Sequence, residues 1–176
     1  MFNPDYTFDT FVRHDCNDFA CDVARVVAGT PGRAYNPLLL YGELGTGKTH
    51  LLHAIGQDLA GREKNARIAC FAMSQFIDEY LAAVRQARIP AFREKLHQYD
   101  LLLLDGAELL VGKERLQEEM FHTFVQLVAD GRQIVLACDC PANRPRPAGL
   151  MPLEQRLVSR FEWGQTAELV SESLSE

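Results

Sequence analysis

The chain has 176 residues, a formal net charge of −6, 47% hydrophobic and 24% charged residues. That size and mixture fit one globular domain with a sizeable core. The acidic balance argues against avid nonspecific binding to duplex DNA, because like charge repels a phosphate backbone over long range, and no apolar run approaches the length of a membrane span.

The N-terminal "MFNPDYTFDT" has neither a basic n-region nor an apolar h-region, so nothing reads as a signal peptide and the cytoplasm is the default expectation. Phe19, Val23, Val26 and Val27 form a helical stripe that Gly29 stops. "LLLY" (38–41) reads as a strand. Leu51, Leu52, Ile55 and Leu59 mark the next helix, ended by Gly61. "RIACFA" (67–72) reads as a second strand, followed by a helix that Ser74 can cap and that carries Phe76, Ile77, Tyr80, Leu81 and Val84. "LLLLD" (101–105) is a third strand. Leu116, Met120, Phe124 and Leu127 set out a helix with Gly131 past its end, and "QIVLAC" (133–138) is a fourth strand. "PANRPRPAGLMP" (141–152) reads as a loop, "TAELV" (166–170) as the last strand, and "SESLSE" (171–176) as a polar tail. The first and third strands are almost uniformly apolar, as a strand covered on both faces requires. The expected fold is therefore α/β: a central parallel five-stranded sheet with helices on both faces. Residues 1–170 are expected to form one unit of this fold.

Cysteine usage adds little chemistry. Cys16, Cys21, Cys70, Cys138 and Cys140 are odd in number and contain no C-x-x-C pair. With no further Cys or His at ligand spacing around "CDC" (138–140), reduced and mostly buried thiols are the expectation.

The stretch "YGELGTGKTH" (41–50) carries the chemistry. Gly42, Gly47, Lys48 and Thr49 satisfy G-x-x-x-x-G-K-[ST], after a predicted strand and at the opening of a predicted helix. Glycines, including Gly45, let the backbone curl and aim successive N–H groups inward, and the helix N-terminus adds the positive end of its dipole. Lys48 is expected at the β- and γ-phosphates and the Thr49 hydroxyl on Mg²⁺. Thr46 and His50 complete the expected nucleotide-binding set, from Gly42 to His50.

A phosphate loop needs a second magnesium anchor. "LLLLDGAELL" offers Asp105 at the carboxyl end of a buried strand, where a carboxylate is costly unless it faces a cation or donors. Hydrolysis further needs a group that orients or deprotonates water. The residue after the magnesium Asp is usually acidic and is here Gly106. Glu108 either swings in or is a solvated carboxylate at a helix start.

Taken in order, these residues resemble the AAA+ ATPase domain of the bacterial replication initiator DnaA, over nearly the whole chain. "NPDYTFDTFV" (3–12) is similar to the family's opening box, which helps wall the adenine pocket. "AYNPLLLYGELGTGKTHLLHAIG" (34–56), "GKERLQEEMFHTF" (112–124) and "RLVSRFEWG" (156–164) match the phosphate-loop region, the segment after Asp105 and the arginine-finger box. The resemblance implies a P-loop NTPase fold with ATP or ADP and Mg²⁺ as cofactors. It implies a sensor role for Asp139 near the γ-phosphate. It makes Arg160 the finger that completes a neighbouring subunit's site, reinforced by Arg156. Lys48, Asp105, Glu108, Asp139 and Arg160 thus form the expected catalytic set, and Thr49 and Asp105 the metal ligands. Leu81 and Arg115 fall where the family grips single-stranded DNA; the alternatives are a core leucine and a solvated arginine.

The chain departs from the family at Gly106. After "FEWG" it lacks the Pro-Pro-Asp and Glu-Thr-Arg stretch that leads into a helical lid, so no lid and no sensor-2 arginine are expected. Three functional readings follow. The first is a slowly or partner-dependently hydrolysing ATPase module for replication initiation or its regulation. The second is a non-hydrolysing nucleotide-bound module that docks on a full-length initiator. The third is a helicase-loader-like ATPase.

Overall fold

The structure is a computed structural model that describes residues 2–140, 159–160 and 163–171. The expected 141–152 loop, Arg156 and residues 172–176 lie outside the described residues.

Five strands build one sheet: β1 (Leu38–Gly42), β2 (Ile68–Ala72), β3 (Leu101–Asp105), β4 (Gln133–Asp139) and β5 (Gln165–Leu169). All pairings are parallel and the spatial order is β2-β3-β4-β1-β5. Helices α1 (Asp18–Gly29), α2 (Lys48–Arg62), α3 (Met73–Arg85), α4 (Ile89–His97) and α5 (Glu114–Ala129) connect and cover them, with a 3₁₀ turn at Ala107–Leu110. No described helix is long and apolar enough to cross a membrane.

The alternation of side chains along a strand explains the uniform hydropathy of β1 and β3. Leu38 and Leu40 with Leu101 and Leu103 enter a core made with α1, α2, Phe8 and Phe11. Leu39 with Leu102 and Leu104 enters a second core made with α3, α4, α5 and the 3₁₀ turn. Each of these leucines is essentially fully buried, contributing about 1.5–3 kcal/mol of transfer free energy. Because all strands are parallel, their carboxyl ends meet at one edge, where the loops after β1, β3 and β4 gather.

Four sequence expectations change. The α1 stripe is narrower than its periodicity suggests: Phe19 is 58% and Val26 43% exposed, while Ala20, Cys21, Val23, Ala24, Val27 and Ala28 are buried. Small residues on that face let α1 lie close against α2. Ser74 does not cap α3; β2 runs straight into the helix through the extended Ala72, which puts Ser74 in the first turn. Leu81 and Val84, expected in the α3 stripe, are 43% and 46% exposed. Residues 89–97, unassigned from periodicity, form α4, anchored by Phe92 and Leu96.

Candidate functional site

The turn after β1 runs tight against the sheet. A Cβ on Gly42 would lie 2.1 Å from the Leu169 carbonyl oxygen, so the position admits only glycine. The chain then curls through Gly45, Thr46 and Gly47 into α2. No side chain caps that helix, which leaves its first N–H groups for an incoming anion. Thr46 Oγ1 donates to the Glu43 carbonyl at 2.9 Å and ties the curl together.

Lys48 is 5% exposed. Its ammonium donates to the Glu43 carbonyl, to Thr46 Oγ1 at 3.2 Å, and pairs with Asp139 Oδ1 at 2.8 Å. A buried ammonium needs such partners to offset its lost hydration. Asp139 reaches it because β4 lies directly beside β1, with Asp139 in register with Gly42. Thr49 Oγ1 donates to Asp105 Oδ2 at 2.7 Å. These residues are 56 positions apart and come together because β3 is next but one to β1 across β4. A hydroxyl and a carboxylate side by side are hard oxygen donors, and the set fits Mg²⁺ rather than a thiophilic ion.

Gly106 follows Asp105 with φ +95° and ψ +43°, a backbone that L side chains rarely adopt. Its N–H donates to the Ala137 carbonyl at 3.0 Å, and the chain turns at once into the 3₁₀ segment. This turn brings Glu108 back over the sheet edge. Glu108 Oε2 accepts the Asp139 N–H at 2.8 Å, so the carboxylate faces the cleft rather than bulk solvent.

The N-terminal segment closes the opposite wall. The Tyr6 ring stacks on His50 at 4.8 Å and 17°, and Phe11 meets His50 edge-on at 5.2 Å. His50 Nε2–H donates to the Thr7 carbonyl at 2.7 Å. Gln57 donates to the carbonyls of Asn3 and Tyr6. The Asn3 N–H donates to His53 Nδ1 at 3.0 Å, which requires that nitrogen to be bare. Burial lowers the His53 pKa and outweighs the raising effect of Asp105, in keeping with a neutral ring.

The resulting cleft has a volume of about 620 Å³ and is lined by Tyr6, Leu44, Gly45, Gly47, Lys48, Thr49, His50, Ala72, Asp105, Gly106, Glu108 and Asp139. The structure thus gathers eight of the sequence-selected residues, Gly45 and Gly47 to His50 with Asp105, Glu108 and Asp139, in one place. Gly42 and Thr46 shape the turn from beneath. Arg160 is not among the lining residues; its guanidinium lies 5.2 Å from the Trp163 ring, and its Nε is buried with no partner among the described residues. Leu81 and Arg115, 34 positions apart in sequence (115 minus 81), line a second groove of about 680 Å³ between α3 and the start of α5. The exposure of Leu81 rules out the core alternative. Tyr6 lies in the opening box, residues 3–12, that the resemblance set at the base pocket; spacing and periodicity alone carry no signal of where an aromatic so far upstream of the glycine loop lands.

A family model described as the bacterial DnaA ATPase domain matches residues 2–168. A chromosomal replication initiator protein DnaA of Thermus thermophilus is 46% identical over 167 residues, covering 95% of this chain and 37% of that protein. The chain therefore spans a little over a third of the length of the curated relatives it matches. Domain III of the Thermotoga maritima replication initiation protein DnaA superposes with a TM-score of 0.89 at 40% identity, covering 97% of this chain and 69% of that one. A replication initiator DnaA bound to AMPPCP and single-stranded DNA gives 0.87 at 37% identity, over 98% of this chain and 52% of that one. The DnaC helicase loader, at 15% identity and a TM-score of 0.77, shares the fold alone.

Proposed function

The chain belongs to the family of the bacterial DnaA ATPase domain, and we propose that it is an ATP- or ADP-binding AAA+ module acting in the initiation of DNA replication or in its regulation, in the cytoplasm. Residues 1–170 act as one nucleotide-binding unit. The observation that carries this reading is the convergence of Lys48, Thr49, Asp105 and Asp139 from three parallel strands' carboxyl ends on one cleft. Phosphate oxygens take the N–H groups at the start of α2 and the Lys48 ammonium, which trades its ion pair with Asp139 for them. Thr49 and Asp105 hold Mg²⁺, which when bound offsets phosphate charge. Tyr6 and His50 wall the base side of the cleft; AMPPCP in a relative supports an adenine nucleotide.

Glu108 is the carboxylate placed to orient water, and Asp139 senses the γ-phosphate. Arg160, away from its own cleft and held against Trp163, serves a neighbouring subunit, where a planar guanidinium spreads charge over the transferring phosphate. The Leu81–Arg115 groove takes single-stranded DNA weakly, as the DNA-bound relative suggests, while duplex affinity is small. Gly106 favours a second reading. With no carboxylate directly after Asp105, hydrolysis in the first reading is slow or partner-dependent, and in the second the module holds nucleotide without hydrolysing it and docks on a full-length initiator as a regulator.

Titration with Mg-ATP and Mg-GTP, followed by fluorescence, light scattering and phosphate release, tests this. Saturable uptake that prefers ATP and disappears in Lys48→Ala is expected. Absence of saturable uptake by the wild-type chain ends the reading. Turnover above the blank selects the ATPase, and turnover at the blank with assembly on an added initiator selects the regulator.

A further inference from the structure

Asp139 is flanked by two cysteines that the nucleotide reading does not use. Side chains alternate along a strand, so Cys138 and Cys140 share one face of the β4 end while Asp139 points away from them to Lys48. Both thiols are buried, Cys138 completely and Cys140 at 7% exposure. Their sulfurs lie 3.7 Å apart. Cys140 is also wired to the phosphate loop: its N–H donates to the Gly42 carbonyl at 2.9 Å.

We propose that Cys138 and Cys140 are a dithiol modification site: exchange with a small disulfide of the glutathione type closes a bond between them and weakens nucleotide binding in the adjoining cleft. The Cys140 thiolate attacks one sulfur of the small disulfide and expels one thiol. Cys138 then gives up its proton and displaces the second thiol, so two protein thiols and one disulfide become one protein disulfide and two thiols. Cys140 is the attacking residue because it keeps some exposed surface while Cys138 keeps none. Its contact with the Cys138 sulfur pulls its thiol down against burial and Glu108, and Lys48 helps. The same contact and burial push the Cys138 thiol up, which keeps its proton until the second step.

Closure is coupled to the cleft by geometry. An extended strand separates alternate Cα atoms by about 6.6 Å, near the upper limit of about 6.8 Å that a disulfide spans. The β4 end must contract, and Cys140, one residue past the ladder, takes up that contraction together with Asp139 between the sulfurs. Asp139 then shifts against Lys48, and Cys140 against Gly42. A disulfide strained in this way is readily reduced, which suits a reversible modification. The effect on nucleotide rests on the proposed function above; the bond itself does not.

The test uses the reduced chain carrying Cys16→Ser, which removes the exposed thiol. Incubation with glutathione disulfide should remove two hydrogens from the peptide holding Cys138 and Cys140. Dithiothreitol should reverse the change, and the additional Cys140→Ser should abolish it. Phenylarsine oxide, which bridges neighbouring thiols, should protect both from alkylation in the reduced chain. Mg-ATP affinity of the oxidised chain should fall roughly tenfold, the scale of one displaced charged hydrogen bond, with the reduced chain and Cys140→Ser alike. No internal disulfide and no capture by the arsenical overturns the site. A disulfide with unchanged affinity overturns its coupling to the cleft. A reduced chain that takes up no nucleotide sinks the functional reading and the coupling together, while the mass change still decides the dithiol.

Discussion

The replacement of Gly106 by alanine isolates what this glycine does. Its φ of +95° is strained for any residue with a Cβ, at a cost of about 1–3 kcal/mol. There is no clash to add: a Cβ would meet Glu108 Oε1 at 3.5 Å, Met73 Cβ at 3.6 Å and Leu109 Cδ1 at 3.8 Å, all ordinary contacts. The loss in Gly106→Ala is therefore a backbone loss. Taking about 2 kcal/mol, and about 2–4 °C per kcal/mol for a domain of this size, the melting temperature falls by about 4–8 °C. Gly106→Asn should lose less, because asparagine tolerates left-handed backbone better than alanine. Gly106→Asp should lose at least as much as alanine, since it adds a third carboxylate beside Asp105 and Glu108. Thermal unfolding followed by circular dichroism measures all three. An alanine variant that melts with the wild type would refute the strain argument. Phosphate release by Gly106→Asp is then read against Gly106→Asn, which shares its tolerance of the left-handed backbone but not the added acid.

Two further outcomes test the site's electrostatics. Thr49→Ala and Asp105→Asn should each weaken binding of magnesium nucleotide far more than metal-free nucleotide, and the double variant should lose less than the sum, because the two share a hydrogen bond at 2.7 Å; equal losses with and without magnesium would remove both from the metal site. His53 binds its proton at a lower pH in the folded chain than the ordinary 6.5 of the unfolded one. As pH falls below about 6.5 the unfolded chain protonates first, so stability drops through the window between 6.5 and the folded value and is flat above it. His53→Ala should flatten that segment of a melting-temperature profile from pH 5 to 8, and an unchanged slope would show that burial of the His53 ring is not its source.

Much of the candidate site was legible in the residues themselves because its geometry is local. Curling a backbone around an anion needs glycines at fixed offsets, then Lys48 and Thr49 at the mouth of a helix, and those demands are met within eight consecutive positions. Asp105 was legible for a different reason: four leucines followed by a carboxylate make sense only where the acid leaves the core. Tyr6 as a cleft wall was legible only through the resemblance of residues 3–12, and the helix at residues 89–97 and the exposed Phe19 were not legible. Tyr6 is placed by contacts with His50 and Gln57 more than forty positions away. The α4 segment does carry Ile89, Phe92 and Leu96 at helical spacing, but it is only nine residues long with Pro90 in its first turn, so the signal is short. The face that α1 buries depends on α2, which its own stripe cannot report.

The sequence by itself determined the strand–helix alternation, the anion cradle and the identity of its charged groups, since these follow from period, composition and spacing along the chain. Only the tertiary structure decided which strands are neighbours. It is the order β2-β3-β4-β1-β5 that sets Asp139 on Lys48, Asp105 on Thr49 and Glu108 on the Asp139 amide. Strand order is decided by how two layers of helices bury both faces of the sheet at once. That is a property of the whole packed core, and no short window of residues carries it.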